Sequence, residues 1–188
     1  MFVVAIMRPF NWSLAMFTWV ILGIGLSFPT VHLLLVAKDR SPGNVGRIYL
    51  SYLLPLSVGL GGLFAFLGHT MRADDVARSI GWPAGNPFQT EVAMTNLAFG
   101  ALGLLCVKFR DGFWTATILG YGIFLEGAAL VHIREILLSG NWSINNAGPI
   151  LVADVAFPIL QMYTYVHFPL SCSLRSRCGV AWGEVAGC

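Results

Sequence analysis

Five apolar stretches of roughly twenty residues, each closed by a short polar break, leave this chain little choice of fold. A helix needs about 20 apolar residues to cross the hydrocarbon of a bilayer, and a water-soluble domain has nowhere to hide several of them. The chain is 56% hydrophobic and 11% charged, with a mean hydropathy of +0.73. Soluble domains carry about 25% charged residues. The expected fold class is therefore all-α, a polytopic transmembrane helical bundle of five spans, or four if the least hydrophobic is lost.

The spans are expected at Trp12–Ala37, Ile48–His69, Phe88–Val107, Phe113–Leu138 and Pro149–Phe168. The third is the least hydrophobic. Pro29 is expected to kink the first, and the first is too long for the roughly 7–15 residue core of a signal peptide, so it reads as a retained helix. Ser57 and Gly61 in the second are four apart, the spacing that lets helix backbones approach in lipid. Residues 1–170 form the bundle. Residues 171–188 lack helical periodicity and read as a loosely ordered cytoplasmic tail. Between the second and third spans, Thr70–Glu91 holds two prolines and two glycines within Gly81–Pro87 and reads as a structured turn rather than a helix.

The net charge of +2 comes from scattered basic residues, with no cluster that would mark a nucleic-acid partner. The expected partner is the lipid bilayer, with a homo-oligomer or a larger membrane complex left open. Counting Lys and Arg by side orients the bundle. One side carries Arg8, Arg72, Arg78 and Arg134, and the other Lys38, Arg40, Arg47, Lys108, Arg110, Arg175 and Arg177. The positive-inside rule makes the richer side cytoplasmic, so the N-terminus faces out and the C-terminus in. Of four cysteines, Cys106 sits in an apolar run and reads as a packing residue. Cys172, Cys178 and Cys188 fall in the tail, on the cytoplasmic side, which argues against structural disulfides. Two N-x-S sequons, at Asn11 and Asn141, lie too close to the membrane to carry weight.

Ionisable groups within a span are expensive and usually face protein or water. Here they gather toward the outer side. Glu91 opens the third span with Asn96 about one turn in, His132 lies roughly 9 Å deep, Asp154 is at comparable depth, and Glu126 is about 18 Å deep. Glu91, Asn96, Glu126, His132 and Asp154 are the candidate lining of an outward-facing polar pocket, roofed by the Gly81–Asn86 turn and the Asn141–Asn146 loop. Each has a plainer reading. Glu91 can serve its own helix dipole, Asp154 can pair with Arg134, and Glu126 can be a neutral, hydrogen-bonded carboxyl. His132 and Glu135, three apart, share a helix face and can both ligate a metal, although a hydrogen-bonded structural histidine is the stronger reading. His69 reads as a headgroup contact, His32 and His167 as cytoplasmic-side residues, and Trp12, Trp82 and Trp142 as an interfacial aromatic belt. No nucleophile elbow, phosphate loop or His-Glu-x-x-His is present.

The segment Ile80-Gly81-Trp82-Pro83-Ala84-Gly85-Asn86-Pro87-Phe88-Gln89-Thr90-Glu91, followed by Asn96-Leu97 and Gly100, resembles the signature of a family of small, uncharacterised bacterial multi-pass membrane proteins. The resemblance runs through about Ser51–Val166 and implies no activity, catalytic residue or cofactor. The layout is also similar, more weakly, to DoxX-like helical bundles, from whose usual four spans it departs. The expectation is a bacterial inner-membrane protein whose activity the sequence does not state. Three readings stand: a small membrane oxidoreductase or metal- or quinone-binding protein, a proton-coupled transporter working through Glu126, and a non-catalytic accessory subunit.

Overall fold

The structure is a computed structural model that describes residues 10–168. The expectations for the tail and its three cysteines lie outside the described residues. The described residues form seven α-helices: α1 (Phe10–Leu35), α2 (Pro42–Leu53), α3 (Gly61–Met71), α4 (Ala73–Ile80), α5 (Phe88–Leu105), α6 (Gly112–Ser139) and α7 (Pro149–His167). A π-helical stretch, Leu54–Leu60, joins α2 to α3, so that Pro42–Met71 is one continuous rod. Pro55 has no N–H for the α-helical ladder, and the stretch closes with the Gly61 N–H donating to Leu56 O, five residues back.

Four helices are long and apolar enough to cross a membrane: Met16–Leu35, Pro42–Met71, Gly112–Ser139 and Pro149–His167. Their outward faces carry Leu34, Leu35, Ile123, Leu130 and Leu137, all well exposed. In water such a surface would be polar, whereas here lipid is the solvent it suits. The least hydrophobic segment, α5, is not among the four, yet it packs along them. It runs antiparallel to the α2–α3 rod, from a His69–Gln89 bond at one end to the backbone of Gly59 against Gly103 at the other. That return brings the chain back to where α6 begins.

Small residues set this packing. A Cβ on Gly62 would meet Asn96 O at 2.7 Å and Gly100 N at 2.8 Å, and one on Gly103 would strike the Gly59 backbone. The expected Ser57/Gly61 pair is not this seam. A Cβ on Gly61 meets only its own helix, at 3.7 Å. Ser57 instead accepts a 2.8 Å bond from Gln161 Nε2 on α7. Elsewhere Phe17 stacks on Phe64, Thr30 bonds Tyr49, and Thr115 bonds Tyr165, so α1 runs antiparallel to the rod and α6 to α7. The core below the site is Leu50, Leu54, Val58, Trp114, Ile118 and Phe157.

The outer connection corrects the expectation of a turn throughout Thr70–Glu91. Its first half is α4. Asp74 and Asp75 sit in the first turn, where the helix dipole favours them, and Gly81 ends the helix at φ 88°. Arg72 and Arg78 both bind Asp75, at 2.5 and 2.6 Å, and hold its carboxyl below the usual aspartate range. Only Gly81–Pro87 remains a turn.

Candidate functional site

Two helices carry their polar and small residues on one face. On α5 the buried positions are Gln89, Ala93, Asn96, Gly100 and Gly103, and on α7 Asp154, Phe157, Pro158, Gln161 and Thr164. On α6 the buried stripe runs Trp114, Thr117, Ile118, Tyr121, Leu125, Ala129 and His132. These faces, with α1 and α3, enclose a cavity of about 420 Å³ in the half of the bundle beneath α4. That is within the roughly 300–1,000 Å³ of small-molecule sites. The walls are mainly apolar and aromatic, including Phe17, Phe64, Trp82, Phe124 and Phe157.

The roof is tied down by the loop after α6. Asn141 Nδ2 donates to Ile80 O at 2.9 Å, Asn145 N to Ser79 O at 3.2 Å, and Asn145 Nδ2 to Ser79 Oγ at 2.9 Å. Trp82 hangs from this roof, its ring stacked on His132 at 6.3 Å and tilted against Phe88 at 6.2 Å. It thereby spans the start of α5 and the end of α6.

The ring of His132 has a defined orientation. Asn146, fully buried, gives its amide hydrogens to Asn141 O at 2.8 Å and His132 O at 3.3 Å. Its Oδ1 therefore faces His132 Nδ1, 2.8 Å away, and takes that N–H. In the neutral ring the proton is then on Nδ1, and Nε2 is left as an acceptor. Nε2 lies 3.8 Å from Asp154 Oδ2, beyond hydrogen-bond reach but close enough for one atom to bridge both. Both side chains are about nine-tenths buried. A second pair, His69 Nδ1 and Gln89 Oε1 at 2.6 Å, lies across the cavity on α3 and α5.

Of the expected pocket residues, Asn96, His132 and Asp154 line this cavity. Glu126 does not; it is half-buried on α6 and within electrostatic reach of Asp154. Glu91 is exposed in the first turn of α5. Glu135 is half-buried and outside the lining, and Arg134 is exposed, so Asp154 faces His132 rather than an arginine. No group of three His, Cys, Asp or Glu side chains suited to a metal ion gathers among the described residues. His32 bonds Tyr52, and His167 stacks on Tyr163, both far from the cavity.

Sequence reasoning gave His69, Trp82 and Ser57 other roles, set Asn145 only within a roofing loop, and passed over Gln89 and Tyr121; all of these line the cavity. The signal for Gln89 was available. Gln89, Ala93, Asn96, Gly100 and Gly103 recur every three or four residues, a small and polar stripe in an otherwise apolar helix.

The cavity also has a side opening. α5 and α6 touch along their lower halves, where Phe99 packs on Tyr121 and Phe124 and Trp114 Nε1 donates to Cys106 O. Above Phe99 they part. Phe88, Gly127 and Val131 both line the cavity and are exposed on the outer face of the bundle. A Cβ on Gly127 would meet nothing within 4 Å.

A model of a family described as of unknown function, DUF6790, matches residues 15–168. No curated protein and no solved structure matches the chain.

Proposed function

The chain belongs to DUF6790 and inherits no activity from it, and from the geometry we propose that it binds a small, membrane-soluble molecule whose polar head donates hydrogen bonds. The observation that carries this reading is the cavity itself. It is apolar along its length, polar at the His132–Asp154 end, and open sideways between α5 and α6, where the solvent is lipid. The tail of such a ligand would occupy the aromatic walls and its head would bridge His132 Nε2 and Asp154. We place the cavity in the outer leaflet of a bacterial inner membrane, N-terminus out, on the Lys and Arg asymmetry. We also read the Ile80–Gly100 motif as the segment that builds the site, since Trp82, Gln89 and Asn96 all lie within it.

An oxidoreductase handling quinones fits the reduced partner better than the oxidised one. A quinol donates from its hydroxyls, whereas quinone carbonyls would face acceptors. The second reading is a proton-coupled carrier, favoured by Glu126 beside Asp154 in mid-helix. A metal centre has no third ligand to build on among the described residues.

The test is calorimetric titration of the full chain in nanodiscs with 4-phenylbutanol, a slender aromatic alcohol. One saturable site is expected in the native protein. It should be lost in Gly61→Leu and Gly127→Trp, which fill the cavity and its mouth from positions with room for a side chain. Uptake that never saturates, and is the same in all three proteins, would be partition into lipid and would overturn the reading.

A further inference from the structure

We propose that the molecule held in this cavity is a hydrophobic cation, an aliphatic or aromatic amine bound in its protonated form. The inference rests on the binding function proposed above and specifies its ligand class.

Three features of the polar end point to a cation. The cavity contains one acidic side chain, Asp154, and no lysine or arginine among its described lining residues. Two further lining groups offer acceptors. In the neutral ring His132 Nε2 is an acceptor, because Asn146 holds the ring proton on Nδ1. Asn145, which also lines the cavity, spends its Nδ2 on Ser79 and keeps its Oδ1 without a partner. An ammonium is the head that brings several donors and a positive charge together.

The spacing suits it as well. His132 Nε2 and Asp154 Oδ2 are 3.8 Å apart. An sp³ nitrogen about 2.8–2.9 Å from each would sit on the bisector, with two of its N–H bonds directed at the pair. Of its two remaining bonds, the one to carbon would run down the cavity. Its walls include aromatic side chains, Trp82 and Phe124 among them, whose rings attract a cation through the quadrupole, more strongly in a desolvated site. Glu126, half-buried within electrostatic reach of Asp154, adds a second negative charge to the same neighbourhood when ionised.

One scaffold with three heads tests this. The full chain in nanodiscs is titrated with 4-phenylbutylamine, 4-phenylbutanol and 4-phenylbutyrate at neutral pH, beside Asp154→Asn. The amine should bind about tenfold more tightly than the alcohol or better, the gain of a charge-assisted hydrogen bond over a neutral one. The carboxylate should show no site. In Asp154→Asn the amine's advantage should vanish while the alcohol still binds. Because the comparison of heads is made on native protein, a misfolded variant would not rescue a failed proposal. Equal binding of amine and alcohol overturns the cation and leaves the binding site standing. Tight binding of the carboxylate overturns it outright. Absence of a saturable site for all three removes both readings together.

Discussion

Replacing Gly62 by alanine adds one methyl group at the point where α3 and α5 are closest, and its effect can be worked from the coordinates. The new Cβ would lie 2.7 Å from Asn96 O, 2.8 Å from Gly100 N and 2.9 Å from Gly100 Cα. All three are backbone atoms, so no side chain can turn aside. Comfortable contact begins near 3.5 Å, so the helices must part by about 0.8 Å. A gap of that size forfeits roughly a quarter to a half of each flanking contact. The expected loss is about 1–3 kcal/mol, as for other overpacked sites. Gly127→Ala is the matched control, because its Cβ meets nothing within 4 Å. It should stay within about 0.5 kcal/mol of the native protein. Reversible unfolding in mixed micelles, driven by a denaturing detergent, measures both. Since Asn96 also lines the cavity, Gly62→Ala should weaken binding of 4-phenylbutanol as well. If Gly62→Ala unfolds with the control, the close α3–α5 seam is not how these helices pack.

Other perturbations separate the remaining interactions. Asn146→Ala strips the buried His132 Nδ1 of its acceptor and takes a donor from the carbonyls of His132 and Asn141, so it should cost about 1–3 kcal/mol in the same assay; a loss under about 0.5 kcal/mol would mean that water takes over these bonds. Gln161→Met removes an amide whose Oε1 has no partner, while Ser57 keeps its bond to Leu53 O. Stability should change by less than about 1 kcal/mol, in either direction, and a larger loss would reveal a partner for that oxygen. Asp75, lowered by its bonds to Arg72 and then Arg78, stabilises the folded state fully above its unfolded value of about 3.9. That contribution disappears as pH falls through the folded value. A carboxyl NMR titration should therefore place Asp75 below the ordinary aspartate range, and Asp75→Asn should abolish the corresponding acid-side loss of stability, a small one because the pair is partly exposed.

The helices were legible from hydropathy because length and apolarity are the same signal in sequence and structure. Trp12–Ala37, Ile48–His69 and Phe113–Leu138 all fall on helices whose ends lie within a few residues of expectation, apart from the rod's start at Pro42. Convergence was harder to read. In water an inward face announces itself by being hydrophobic, but here both faces of α6 are apolar, and Ile118 and Ile123 look alike until one is buried and the other meets lipid. The site also draws on contacts far apart in sequence. His69 finds Gln89 across a turn, and Asn145 finds Ser79 across the whole α5–α6 hairpin. Depth along a helix singled out Asn96, His132 and Asp154, which line the cavity. It could not tell that Glu91 is turned outward, since depth carries no angle.

The glycine seam between the α2–α3 rod and α5 has a bearing on how the chain is made. With Gln89, Glu91 and Asn96 along it, α5 is the pass that a translocon would be slowest to release into lipid by itself. Its partner is already in place. Gly59 and Gly62 precede it in the chain, so by the time Gly100 and Gly103 leave the ribosome the surface that receives them is waiting in the bilayer. The order of synthesis thus compensates for a marginal segment. A circularly permuted chain that presented α5 before the rod would have to insert it unaided, and should fail to do so although every side chain is unchanged.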